Sequence, residues 1–276
     1  MNGDQHLSSD DRTAYLNFHA ARNRANAQRS AREGVKTRAA PFAVPFDRSL
    51  ASPSRLVMDE LVRRFARKFA RYWGGRSIRV LDIGCGSGYA CSLLEAGGLG
   101  GTYVGVDHAL HPAFDGLESA TFARRHVITD ILELDPADIG PVDLLISMTA
   151  LEHFEDDAQA LRTARRTLAP GAAELHVVPA EDGLRLWRTH GWRQYSPACV
   201  RALCPGAEIY RIGGAVSGFV HHRTITVPNE RHVDWRAAHP RLYRALRGVA
   251  TALDPLSLNR PASLYAVVKP PETTNS

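Results

Sequence analysis

The run Val80-Leu81-Asp82-Ile83-Gly84-Cys85-Gly86-Ser87-Gly88 constrains this chain more than any other stretch. Val80, Leu81 and Ile83 mark a buried strand, three glycines at alternate positions open a turn, and a helix is expected from about Tyr89. Strand, glycine turn and helix in direct succession belong to a parallel α/β sheet. There the turn sits at the carboxyl edge and lets a nucleoside approach the backbone without Cβ collisions. A dinucleotide-binding loop of the GxGxxG type needs its third glycine at position 89, where Tyr89 stands. Asp82, just before the turn, would repel a pyrophosphate and suits a cationic amino group. The loop therefore favours an aminoacyl nucleoside over a dinucleotide.

The surrounding pattern predicts the rest of the fold. Strands are expected at 78–83, 102–106, 126–128, 142–147, 173–178, 208–212 and 263–268, with helices beginning near Tyr89, Glu155 and Ser196. That alternation predicts a doubly wound, mostly parallel seven-stranded sheet. Leu56, Val57, Leu61, Val62, Phe65, Phe69 and Tyr72 predict an amphipathic helix from Pro53 to the Gly74-Gly75 pair, with a solvated basic face of Arg63, Arg64, Arg67, Lys68 and Arg71. Residues 1–52 are expected to form a basic, loosely ordered, partly helical leader, and 53–276 the main domain. In the leader Phe42, Val44 and Phe46, around Pro41 and Pro45, form a short apolar cluster that docks on the domain or on a ligand. An insertion over about 213–262 is expected to hold a hairpin (216–220 and 223–227) and a helix (241–253).

With these residues in place the chain resembles the class I S-adenosylmethionine-dependent methyltransferases, whose first motif is written hydrophobic-D-x-G-x-G-x-G. The resemblance implies that Asp82, Gly84, Cys85, Gly86 and Gly88 hold the cofactor S-adenosyl-L-methionine. Asp107, 23 positions after Gly84, stands where the family places a carboxylate on the ribose hydroxyls, with His108 beside it. Asp130 and the backbone N–H of Ile131 correspond to the adenine-reading pair, and Ser147, near the end of the fourth strand, completes the cofactor set. Leu151-Glu152-His153 resembles the LEH of small-molecule branches, and Leu168-Ala169-Pro170-Gly171 the turn before the fifth strand. The similarity covers roughly residues 55–212 and the closing strand.

Methyl transfer from a sulfonium donor asks mainly for alignment, worth about 7–11 kcal/mol, and a hydroxyl acceptor adds the need for a general base. His153 is the first candidate, with a positioning role as the alternative; His190 is the second. Trp187, Trp192, Arg193 and Tyr195 follow the fifth strand and suit an acceptor with a ring and hydroxyls, a small molecule or a glycan; the alternative is that the tryptophans close the core. Glu152 and His153 are too few for a divalent cation, so no metal is expected. His176 is expected to be a satisfied core histidine.

Charge discriminates among partners. The chain carries +5 overall, but residues 1–77 hold 15 basic and 7 acidic side chains, so residues 78–276 are slightly acidic. The excess belongs to the leader and gives little support to a nucleic-acid substrate. An RNA or protein methyltransferase that grips through the leader, or a non-catalytic subunit with this fold, remain alternatives. No apolar run is long enough to span a bilayer, and the polar start and unpaired cysteine spacing give the expectation of a cytoplasmic protein with reduced thiols. The oligomeric state is not encoded in any motif.

Overall fold

The computed structural model describes residues 2–40, 49–256 and 262–271, so the apolar cluster around Phe42 and Phe46 lies outside the described residues. In chain order the first elements are α1 (Ser9–Arg32), β1 (Arg38–Ala39), α2 (Pro53–Tyr72), β2 (Ile78–Ile83), α3 (Tyr89–Ala96), β3 (Gly101–Asp107), β4 (Phe122–Ile128), α4 (Pro136–Ile139), β5 (Val142–Met148) and α5 (Asp157–Arg165). They are followed by β6 (Leu168–Pro179), α6 (Gly183–Trp187), α7 (Pro197–Leu203), β7 (Glu208–Ile212), α8 (Ala215–His221), α9 (Val227–Glu230), α10 (Trp235–Ala238), α11 (Pro240–Leu253) and β8 (Leu264–Lys269). The hydrogen-bonded strand order is β1-β7-β8-β6-β5-β2-β3-β4. The seven expected strands are present in this doubly wound, mostly parallel sheet, and the eighth is the two-residue β1.

The chain divides into two compact units. One, the sheet unit, comprises Leu61–Val178, Leu203–Glu208 and Val267–Ser276; the other, the composite unit, comprises Met1–Glu60, Pro179–Ala202 and Ile209–Ala266. In the sheet unit β2 pairs in parallel with β3 on one side and β5 on the other, β3 continues to β4, and β5 to β6. Val80, Leu81, Val104, Val106, Leu144, Leu145, Ile146, Leu175 and Val177 are at most 2 % exposed, as expected for parallel strands covered on both faces. The chain winds outward from β2 through β3 to β4 and then returns to β5 beside β2. That reversal leaves a crevice at the carboxyl ends of β2 and β5, the general location of ligands in such sheets.

Three local expectations change. Where a loosely held leader is expected, α1 is one helix of 24 residues. Ser8 caps it by accepting the Asp11 N–H, and Asp10 and Asp11 in the first turn with Arg29 and Arg32 in the last complement its dipole. Tyr15, His19 and Asn23, spaced by four, are its buried residues. The expected hairpin is instead α8, a π-helical turn (His222–Thr226) and α9. The β-branched residues there suggested strands, but Ser217 caps Gly214, Thr224 bonds back to the Val220 carbonyl at 2.7 Å, and no turn residue separates the two runs. Finally, Pro170-Gly171 lies inside β6 rather than before it. Leu168 opposes Val142 and Ala173 opposes Leu144, so five positions on β6 match two on β5 and the extra residues bulge.

Candidate active site

The glycine turn is pinned to the end of β3. Gly84 and Cys85 donate their backbone N–H groups to the Val106 carbonyl at 2.8 and 3.2 Å, and Gly86 donates to Asp107 Oδ2 at 2.9 Å. Gly84 has φ +66°, and a Cβ there would stand 2.5 Å from the Cβ of Ala150, so the turn can rest on the segment after β5 only if residue 84 is glycine. Gly86, at φ +49°, faces open space with nothing within 4 Å of where its Cβ would be. That is a cradle a ligand can fill. Gly88 occupies the N-cap position of α3, and Cys85 is 8 % exposed with burial pushing its thiol pKa well up, which leaves it a filler rather than a nucleophile.

Three carboxylates stand at or near neighbouring strand ends. Asp82, near the end of β2, is 1 % exposed; the Tyr103 hydroxyl donates to its Oδ2, while its Oδ1 has no hydrogen-bond partner among the described residues. Burial pushes its pKa up, the Tyr103 bond offsets part of that, and nearby Asp107 adds to it, giving about 7. Asp107 ends β3 and accepts from the N–H groups of Gly86 and His108; the His108 ring nitrogen lies 2.8 Å from Oδ1, with its side chain 89 % exposed. Asp130 follows β4, exposed, and caps the turn Ile131–Glu133 by accepting the Leu132 N–H at 2.9 Å. Ile131 is 3 % exposed. The Thr129 N–H donates to the Asp107 carbonyl at 3.0 Å, which holds the second and third of these strand ends together.

On the other side of the crevice β5 ends at Met148, and Thr149 turns the chain with φ +54°, a conformation uncommon for a residue with a Cβ. The turn Leu151–His153 follows directly, its His153 N–H donating to the Ala150 carbonyl at 2.9 Å. His153 has its side chain 38 % exposed and its Nε2 3.9 Å from Oε1 of the fully buried Glu152. Since Ala150 is the residue against which Gly84 packs, His153 is tied to the glycine turn. Ser147 is placed elsewhere. It is 0 % exposed and its hydroxyl pairs with His176 Nδ1 at 2.9 Å, inside the sheet rather than in the crevice.

His176 is a satisfied core histidine and part of a buried polar chain. Its Nε2 lies 3.2 Å from Glu174 Oε2, to which Arg165 Nε also donates at 2.9 Å, while Arg165 Nη2 donates to Cys204 Sγ at 3.1 Å. Burial pushes Glu174 up, but the hydrogen bonds from His176 and Arg165 more than offset it and hold the carboxyl at about 2. Glu174, His176 and Cys204 approach metal-ligand geometry, yet the Arg165 guanidinium already supplies the cation there. Tyr103 and Thr149 escaped the reading of the sequence. A lone tyrosine in an aliphatic strand was the available signal for Tyr103; nothing local announced the backbone of Thr149.

The aromatic tract belongs to the composite unit. Trp187 is half-buried, with its ring centroid 6.3 Å from His190 and 6.0 Å from the buried His221. His190 Nδ1 lies 3.7 Å from Asp4 Oδ1, its side chain 36 % exposed, and its carbonyl accepts from the Tyr15 hydroxyl at 2.8 Å. Asp4 also accepts the Gly191 N–H, and Asn23 donates to Gln194 Oε1 at 3.2 Å, so the start of the chain and α1 cover this tract. Trp192 and Arg193 are half-buried, whereas Tyr195 is 1 % exposed and sits in the core, its N–H donating to the Pro179 carbonyl. The buried Tyr195 therefore reads as a structural residue, and Trp187, His190, Trp192 and Arg193 keep accessible surface.

The matching family and the curated relatives agree with this geometry. A family described as methyltransferase domain matches residues 55–213. A ubiquinone biosynthesis O-methyltransferase of Caulobacter sp. (strain K31) is 31 % identical over 57 % of this chain and 70 % of its own length. One of the same description from Caulobacter vibrioides is 28 % identical over the same shares. Among solved structures, magnesium protoporphyrin IX methyltransferase from Synechocystis PCC 6803 with bound SAH is 17 % identical, with a TM-score of 0.43 over 58 % of this chain and 77 % of that one. The glycine turn, the orphaned Asp82 oxygen and the open space at Gly86 fit the cofactor that the family implies. The chain belongs to the methyltransferase-domain family and is an S-adenosylmethionine-dependent methyltransferase.

Proposed function

We propose that this methyltransferase acts in the cytoplasm on a hydroxyl group of a small molecule, an O-methylation in which His153 accepts the departing proton. The observation that carries the reading is the position of His153, half-exposed on the turn after β5 that packs against the glycine loop through Ala150. The O-methyltransferase descriptions of the curated relatives support the same acceptor class. A glycan hydroxyl meets the same chemical requirement and is the second acceptor to test. When bound, S-adenosylmethionine supplies an electrophilic methyl group on a sulfonium sulfur. In this reading Asp107 accepts the ribose hydroxyls, and Asp130 with the Ile131 N–H addresses the adenine edge; the bond from the Gly86 N–H to Asp107, which keeps the turn closed, supports the first of these. Asp82 sets a negative charge beneath the turn for the cationic amino group.

The test is methyl transfer from labelled S-adenosylmethionine to a panel of phenols, alcohols and oligosaccharides. Wild-type protein is expected to label phenols or alcohols, and His153→Gln to lower kcat by about 10²–10⁴-fold with little change in S-adenosylhomocysteine affinity. Labelling confined to amines, or an unchanged kcat in the variant, would overturn the oxygen acceptor or the base respectively.

A further inference from the structure

Helix α11, in the composite unit, is apolar on two sides. Its inner side places Tyr243 and Ala250, both 0 % exposed, in a small core with Val220 and Ile225, and Leu50, Val216 and Trp235 pack against it. The Tyr243 hydroxyl donates to the Ala51 carbonyl at 2.8 Å, and Arg247 Nη1 donates to the carbonyls of Ser49 and Ala51 at 3.1 and 3.2 Å. This anchoring turns the other side outward. Leu242 is 53 % exposed, Leu246 38 %, Val249 58 %, Leu253 41 % and, just beyond the helix, Leu256 81 %. Steps of four and three residues set the four helical members in one row. Ala245, Gly248 and Ala252 flank that row and are exposed as well, so every exposed residue from 242 to 256 is apolar. A surface helix in water presents polar side chains opposite its buried face; this one does not.

Charge decides what covers the row. Residues 215–256 contain six arginines and three acids. All three acids are engaged by partners: Asp254 accepts the Ser217 N–H at 3.0 Å, Asp234 caps α10 and pairs with Arg236, and Glu230 pairs with Arg188 at 2.8 Å. Arg241 is exposed at the start of the row, Arg244 is half-buried on the same helix, and the exposed Arg223 stacks its guanidinium 5.6 Å from the ring of Phe219. Phe219, on the adjoining α8, is itself 58 % exposed. Among the described residues, the exposed acids of this segment, Glu230 and Asp234, are neutralised by Arg188 and Arg236, and α11 itself carries none; an apolar row with Arg241 and Arg244 on the same helix matches the boundary between the acyl chains and phosphates of an anionic bilayer.

We propose that α11 is a docking helix for an anionic membrane surface: Leu242, Leu246, Val249, Leu253 and Leu256 enter the acyl boundary, and Arg241 and Arg244 meet lipid phosphates. A second copy of the chain is the poorer occupant, because in either orientation its α11 brings no exposed acid to those arginines. A nucleic acid supplies phosphates and nothing to cover five large apolar side chains.

The experiment is co-sedimentation of the full chain with vesicles of phosphatidylcholine alone and of phosphatidylcholine mixed with phosphatidylglycerol, alongside light scattering without lipid. The wild type is expected to pellet with the mixed vesicles. Leu242→Asp with Val249→Asp is expected to weaken that partition by roughly tenfold or more per residue without lowering the melting temperature, since both side chains are more than half in solvent. Arg241→Ala and Arg244→Ala, which leave the row intact, are expected to cost about fivefold each on the mixed vesicles at low salt and nothing on the neutral ones. Failure to pellet, pelleting indifferent to the aspartates, or equal losses of the arginine variants on both lipids would overturn the proposal. So would a dimer in light scattering that the aspartates dissociate while no vesicle binding is found.

Discussion

The two units of this protein were built under different rules. In the sheet unit, each group suited to the cofactor lies at or near the carboxyl end of a strand, and consecutive parallel strands bring those ends side by side by hydrogen-bonding register alone. Asp82, Asp107, Asp130 and His153 therefore fall along one edge of the sheet because of where they stand relative to their strands. The composite unit has no such register to rely on. Its aromatic tract is covered by α1 through single contacts over long sequence distances, such as Tyr15 with His190 and Asn23 with Gln194. Function written at strand ends survives as a spaced motif; function assembled from distant segments leaves only isolated aromatic and polar residues.

The largest expected effect tests the strand-end rule. Asp107→Ala removes the acceptor for the Gly86 N–H and, in the proposed reading, the carboxylate for two ribose hydroxyls, so S-adenosylhomocysteine affinity measured by calorimetry should fall by about a hundredfold or more. Unchanged affinity would break the assignment. Gly84→Ala should cost about 2–4 kcal/mol in chemical denaturation, because it combines a positive φ with overlap onto Ala150. Gly206→Ala is its control, with φ +77° and open space around it, and should cost about 1 kcal/mol.

The pH dependence of binding sharpens the role of Asp82. Its carboxyl has a pKa of about 7 in the free protein, and a cationic amino group bound nearby favours the ionised form. The complex then holds fewer protons than the free protein, so cofactor affinity should be constant above pH 7 and fall by up to about tenfold per unit below it. Asp82→Asn should abolish that slope, and a slope that persists in the variant would assign it to another group. The smallest effect lies in the composite unit. Tyr15→Phe removes a hydroxyl whose one proton is shared between the His190 and Gly191 carbonyls and which accepts the His190 N–H, and should lower stability by about 1–2 kcal/mol, leaving S-adenosylhomocysteine affinity as it is. A parallel loss of cofactor affinity would mean that the two units do not contribute separately.

Legibility followed the same division. The strand at 78–83, the helices beginning at Pro53 and Tyr89, and the carboxylates at 82, 107 and 130 were readable because apolar period, helix signals and glycine spacing are local properties. Ser147 was misplaced because one step along a strand exchanges the two faces of the sheet, and pairing with His176 settled which face it took. Helix α1 is longer than expected because only one of its buried residues, Tyr15, is a large apolar-bodied side chain, the others being His19 and Asn23, so its buried face carries no apolar stripe to read. The hairpin expected at 216–227 failed for a related reason: β-branched residues report a preference, and backbone capping by Ser217 and packing of Val220 and Ile225 overrode it.

By itself, the sequence determined the class of fold, the glycine turn and the carboxylates at or near strand ends, since those follow from residue order and short-range sterics, and the resemblance these motifs carry pointed to the donor. Tertiary structure alone decided that Asp82 is buried with one unsatisfied oxygen, that Gly84 must pass against Ala150, and that α11 keeps a leucine row in solvent. Each of these depends on which distant atoms fill the space beside a residue, and nothing in the residue's own neighbourhood along the chain specifies them.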